Sequence, residues 1–105
     1  DFLETWGSST ENARAWAKRR KPGAHMSKLI SFESMMSITG ANSDERYPVR
    51  PGDEYLVALS LAHEISGQAR FSDYSAEKVA RQIGGALTAE AIKKTAAALK
   101  AARGK

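Results

Sequence analysis

Pro51-Gly52-Asp53-Glu54 sets a turn, a helix start and two carboxylates side by side. Pro suits an early helical position, and Asp favours the positive end of a helix dipole. Upstream, Lys28 to Phe32 is a short apolar run with no helical period, which predicts a strand buried on both faces. A polar loop with Gly40 and Asn42 follows, then a second short extended piece around Tyr47 to Val49. This order of strand, loop, short strand and helix predicts a ligand-facing rim. In α/β proteins, strand carboxyl ends and helix N-termini collect free backbone N–H groups that bind anions. A structural account competes with that one. Carboxylates at a helix start need no ligand to explain them, and Gly40 and Gly52 are residues that turns require.

Other chemistries find little support. The chain has no Cys, which excludes disulfides, thiolate metal sites and iron–sulfur ligation within it. No Ser sits in a Gly-x-Ser-x-Gly elbow, and neither His25 nor His63 has an orienting partner at ligand spacing. His25 reads as a solvated loop residue, and His63 as an exposed or dipole-assisted residue late in its helix. No phosphate loop of the Gly-x-x-x-x-Gly-Lys type occurs. The remaining carboxylates are scattered along helices, where they face solvent.

The formal charge of +4 and isoelectric point near 9.6 raise the question of nucleic acid. Much of the excess lies in Lys18, Arg19, Arg20 and Lys21, at the end of the first predicted helix. Cations there complement the helix dipole. Lys93, Lys94, Lys100, Arg103 and Lys105 load the last helix in the same way. No RNA-binding aromatic motif or zinc finger accompanies them. Solvated helix faces are the stronger reading, and nucleic-acid binding is expected to be weak and non-specific.

The elements that must position the rim follow from capping and periodicity. With 105 residues and 42% hydrophobic content, the chain suits one folded domain that buries about 60–70% of its unfolded surface. No apolar run approaches the ~20 residues of a membrane-spanning helix. The chain begins at Asp1 without Met, and its last residues follow a helix-ending Gly, so it reads as a segment of something longer. Ser8-Ser9-Thr10-Glu11 has the spacing of a capping box and predicts a helix over Ser9–Arg20. Ala13, Trp16 and Ala17 share one face of it, and Trp6 and Trp16 read as packing residues. Leu56, Leu59, Ala62 and Ile65 form a stripe on a helix over Asp53–Ser66, stopped by Gly67. Gln68 to Tyr74 reads as a loop. Ser75 caps a helix over Ala76–Ile83, ended by Gly84-Gly85, and Thr88 caps one over Ala89–Arg103. Ile92, Thr95, Ala96, Leu99 and Ala102 lie on one face of the latter. These last two helices form an αα-hairpin.

The central stretch resembles the dinucleotide-fold segment of the molybdopterin oxidoreductases, the dimethyl sulfoxide reductase superfamily. Members carry a strand ending in Asp-Pro-Arg, then Thr residues, an Ala-Asp, and an Arg-Pro-Gly-Thr-Asp that starts a helix. Glu33 takes the strand-end acid, Ser37 and Thr39 the hydroxyl positions, and Asp44 the loop acid. Val49 and Arg50 match the short strand, and Pro51-Gly52 the turn. Eighteen positions separate Glu33 from Pro51, the family's usual spacing. Tyr74-Ser75-Ala76-Glu77 and Ile83-Gly84 resemble the family's Tyr-Thr-Pro-Glu and Thr-Gly. The likeness covers nearly the whole chain but only a slice of a much larger parent. It implies an α/β fold class: a fragment of a dinucleotide-binding-like domain, with a small parallel sheet flanked by about four helices.

Two departures stand out: Ser34-Met35 replaces Pro-Arg, and Asp53-Glu54 replaces Thr-Asp. A second likeness is closer in wording. Asp1-Phe2-Leu3-Glu4-Thr5-Trp6 and Thr39-Gly40-Ala41-Asn42-Ser43-Asp44-Glu45-Arg46 resemble the large iron–sulfur subunit of alternative complex III and of related menaquinone reductases. Those subunits keep the molybdopterin-enzyme fold without its molybdenum cofactor and serve quinone-linked electron transport.

Two readings therefore stand. In one, the chain is a structural module of a respiratory, quinone-linked oxidoreductase subunit, with no cofactor bound to the segment itself. In the other, it belongs to a catalytic molybdenum or tungsten enzyme. Glu33, Thr39, Pro51, Gly52, Asp53 and Glu54 would then hold the guanosine end of a molybdopterin guanine dinucleotide. Either way, the residues themselves lead to no expected catalytic residue and no metal ligand in this segment. The resemblance implies as partners the remaining domains of the parent and other respiratory-complex subunits. It also implies a membrane-associated location on the periplasmic side of a bacterial inner membrane, without direct insertion.

Overall fold

The computed structural model describes residues 1–104, which divide into two compact units. The first comprises Asp1–Ser31 and Met35–Arg46; the second comprises Phe32–Ser34 and the chain from Tyr47 onward. The predicted α/β class holds, with five α-helices and a two-stranded sheet among the described residues. Strand β1 (Ile30–Glu33) pairs with β2 (Glu45–Pro48). Asp44 N and Glu45 N both donate to Leu29 O, at 2.9 and 3.3 Å, and Val49 N donates to Glu33 O at 3.1 Å. The register thus advances in the same direction on both strands, as a parallel pair requires.

Burial on both faces does not hold for β1, whose four residues are all half-buried. A lone two-stranded ladder leaves each strand an unpaired edge. Full burial needs further strands and a layer on each face.

In the first unit, helix α1 (Ser9–Lys18) starts where its sequence predicts but without the capping box. Ser8 occupies the cap position with an extended backbone, and its side chain makes no cap hydrogen bond. Asn12 organises the entrance instead, its Nδ2 donating to Phe2 O at 2.9 Å and Trp6 O at 3.0 Å. Trp16 packs edge-on against Phe2, with ring centroids 6.1 Å apart. Trp6 is 70% exposed, so it is not the packing residue its size suggested. Ala13 and Ala17 are exposed as well.

The polar loop around Gly40 contains a short helix, α2 (Ile38–Ala41), that the sequence reading missed. Its N-cap is supplied by Ser37 Oγ, which accepts Gly40 N at 2.9 Å.

The second unit holds the hydrophobic core. Helix α3 (Glu54–Ser66) packs against a 3₁₀ helix (Ala69–Tyr74), α4 (Ala76–Ile83) and α5 (Ala89–Ala101). Gln68–Tyr74 was expected to be a loop, and most of it forms that 3₁₀ turn. Ser75 Oγ accepts Lys78 N at 3.4 Å and Thr88 Oγ1 accepts Ala91 N at 3.2 Å, so the two predicted caps are present. Gly67 ends α3 in the left-handed conformation, with φ +64°.

Leu56, Val57, Val79, Ile83, Leu87 and Ile92 are buried together, joined by Val49 from the end of β2. The α3 stripe is shifted from its predicted position. Val57 and Ser60 face inward, while Ile65 is 41% exposed. On α5, Ile92, Thr95 and Ala96 are buried as predicted, but Leu99 is half exposed and Ala102 exposed. Phe32 and Tyr47 stack at 5.3 Å and pack against this core. An exposed ion pair of Lys93 with Glu77 bridges the α4–α5 hairpin.

Candidate functional site

The predicted rim is built around one turn. Asp53 N donates to Arg50 O at 3.0 Å, which closes Arg50-Pro51-Gly52-Asp53 into a β-turn. Pro at the second position and Gly at the third fit type II, which demands positive φ at the third residue; Gly52 has φ +90°. Asp53 then occupies the N-cap of α3, and its carbonyl accepts Leu56 N at 3.0 Å. Val49 N on Glu33 O ties the end of β1 to the residue just before this turn. Glu33, Pro51, Gly52, Asp53 and Glu54 therefore all belong to the second unit.

Thr39 belongs to the first unit, in α2. Its hydroxyl donates to Asp1 Oδ1 at 2.5 Å, and Leu3 N donates to its oxygen at 3.1 Å. Thr39 fastens the chain's first residues to α2.

Both rim carboxylates have partners within the turn. Glu54 Oε2 accepts Gly52 N at 2.8 Å, so the side chain folds back over the turn ahead of its own helix. Asp53 makes no side-chain cap bond; its Oδ2 takes Arg50 Nε at 3.1 Å. Arg50 Nη2 reaches Gln82 O at 3.0 Å, linking the turn to the last residues of α4. The sequence pattern places Arg50 only at the end of the short strand. Its spacing of three from Asp53 was the available signal for this pairing.

Two features of this arrangement oppose a dinucleotide phosphate at the turn. An anion at a helix start depends on free N–H groups and the positive dipole end. Here a carboxylate already occupies the Gly52 N–H, and the Asp53 and Glu54 carboxylates both stand at the start of α3.

A second acid from the predicted pattern, Asp44, is also structural. Arg20 grips it in a fork, Nη1 to Oδ2 at 3.0 Å and Nη2 to Oδ1 at 2.8 Å, while Leu29 N donates to Oδ2 at 2.8 Å. The Arg20 hydrogen bonds, followed by that of Leu29, hold the Asp44 carboxyl below its ordinary pKa. The pairing joins residues far apart in sequence, and nothing in the local pattern announces it. Among the described residues, no group of three or more His, Asp or Glu side chains could hold a metal ion. No described helix is long and apolar enough to cross a membrane.

Comparison with known proteins gives one informative likeness. A curated relative is the menaquinone reductase, molybdopterin-binding-like subunit of Nitratidesulfovibrio vulgaris, 29% identical over 117 aligned positions. The alignment takes in 98% of this chain and 17% of the relative, so the chain spans about a sixth of that subunit's length. No protein-family model and no solved structure matches. The likeness agrees with the broader resemblance to a segment of a molybdopterin-related subunit.

Proposed function

We propose that this chain is a structural segment of a molybdopterin-oxidoreductase-like subunit in a quinone-linked respiratory complex, and that its rim holds no cofactor. The observation that carries the cofactor-free reading is the Glu54 carboxylate on Gly52 N, supported by the Arg50–Asp53 pair beside it. Two donors of the turn, Gly52 N–H and Arg50 Nε, meet its own acids in place of a dinucleotide phosphate. The similarity to a subunit named as menaquinone reductase and as molybdopterin-binding-like supports the quinone-linked context. On this reading the partners are the rest of the parent subunit and its neighbours in a membrane-associated complex.

The catalytic alternative, a guanosine-binding rim, requires Glu54 to leave Gly52 and Asp53 to leave Arg50. An amide-shift titration of the chain with a guanine dinucleotide separates the two readings. The cofactor-free reading expects no saturable shifts at Glu33, Thr39 or Gly52–Glu54. Saturable shifts confined to those residues, and abolished in Asp53→Ala or Glu54→Ala, would establish the alternative.

A further inference from the structure

The basic run Lys18-Arg19-Arg20-Lys21 closes α1, and the structure divides it in two. Arg20 is committed internally. Its guanidinium takes Asp44, donates to Ser27 O at 2.6 Å and lies 5.1 Å from the Trp16 ring centroid. The backbone closes the same loop, with Ser27 N donating to Arg19 O at 3.0 Å and Met26 N to Gly23 O at 3.2 Å. Lys18, Arg19 and Lys21 are exposed, and none of them joins an ion pair among the described residues. With His25, they line a concave hollow of about 320 Å³ that also takes in Pro22 and Met26. No carboxylate lines it.

Complementing the helix dipole explains why cations gather at the end of α1, but not why three of them line one hollow. The dipole itself opposes an anion there, by the equivalent of about half a negative charge. Three full positive charges outweigh it. Arginine can present two parallel N–H donors to phosphate oxygens, while lysine acts as a point charge. Pro22 and the 40%-exposed Met26 provide an apolar edge for the carbon side of an ester. The volume lies within the range of small-ligand sites. Because Arg20 is fixed by Asp44, Ser27 and Trp16, the loop carrying these cations is held in shape before any ligand arrives.

We propose that this hollow binds the phosphate group of an organic phosphate, with Lys18, Arg19 and Lys21 as its ligands. The test is an amide-shift titration of the whole chain with glycerol 1-phosphate, against sodium chloride at matched ionic strength. A parallel flotation assay uses phosphatidylcholine vesicles with and without phosphatidylglycerol. Saturable shifts confined to Lys18–Met26 with the soluble ester assign a free phosphate ligand. Co-flotation with phosphatidylglycerol vesicles assigns a lipid headgroup of the same chemistry. Arg19→Ala should weaken either interaction about three- to fivefold, the scale of an exposed ion pair. The Lys18→Ala, Arg19→Ala, Lys21→Ala triple variant should abolish it. That variant leaves Arg20 and Asp44 intact, and the charge-preserving Lys18→Arg, Lys21→Arg variant should retain binding. Lys100→Ala with Arg103→Ala, at the end of α5, should change nothing. Failure in both arms, with shifts that do not saturate or that chloride reproduces and no vesicle binding, would overturn the assignment, as would an equal loss from the α5 variant.

Discussion

Arg20 and Asp44, far apart in the chain, meet as a two-pronged ion pair at 2.8 and 3.0 Å. The pair joins the end of α1 to the residue that enters β2, and Asp44 also receives the backbone N–H of Leu29 just before β1. One carboxylate thus fastens three segments of the first unit.

The pair makes stability depend on acid. The Asp44 carboxyl is held below its ordinary value, chiefly by Arg20, so the native state binds its proton less readily than the unfolded chain. Its contribution is present above the unfolded pKa of about 3.9 and is lost as pH falls through the lower native value. Asp44→Asn should cost about 1 kcal/mol at neutral pH, the upper end for a partly exposed pair. Urea unfolding followed by tryptophan fluorescence should show wild type and variant converging as the pH drops below about 4. A difference that stayed constant into strong acid would remove the ion pair as its cause.

Gly52 should resist replacement for a backbone reason. A Cβ there would meet nothing within 4 Å, yet φ is +90°. Gly52→Ala is expected to cost about 1–2 kcal/mol from the positive φ alone. A matched loss in urea midpoint with an unchanged slope would agree. An Ala variant as stable as wild type would mean that the turn is not held in this form.

The helix caps should separate by whether their bond exists. Thr88→Ala removes the acceptor of Ala91 N and should lose about 1 kcal/mol. Ser8→Ala removes no cap bond and should stay within about 0.5 kcal/mol of wild type. Thermal melts of the two variants decide this, and an equal loss for both would contradict the observed geometry.

Within α5, depth should set the cost. Ile92 has no exposed surface, so Ile92→Ala should lose about 2–5 kcal/mol. Leu99 is half exposed, and Leu99→Ala should lose under about 1 kcal/mol. Chemical denaturation of each variant gives the comparison. Similar losses would mean that Leu99 is covered in solution.

The amino-acid sequence alone determined the features that act over one turn of chain. Thr88 and Ser75 cap because a hydroxyl reaches an N–H three residues on. Gly67 ends α3 because its left-handed conformation suits a residue without Cβ. Pro51-Gly52 turns because one residue fixes φ and the next permits a positive value. The same kind of local reading failed at Ser8, where Asn12 anchors the helix entrance through Phe2 and Trp6. Only the tertiary structure decided which apolar residues are covered. Val57 and Leu87 are buried while Trp6 and Ile65 are not, because burial depends on what packs over a residue. It also decided that Arg20 belongs to Asp44 while its neighbours line a hollow. Side-chain pairing across distant segments is set by where the folded backbone brings charges together, and local spacing carries no record of that.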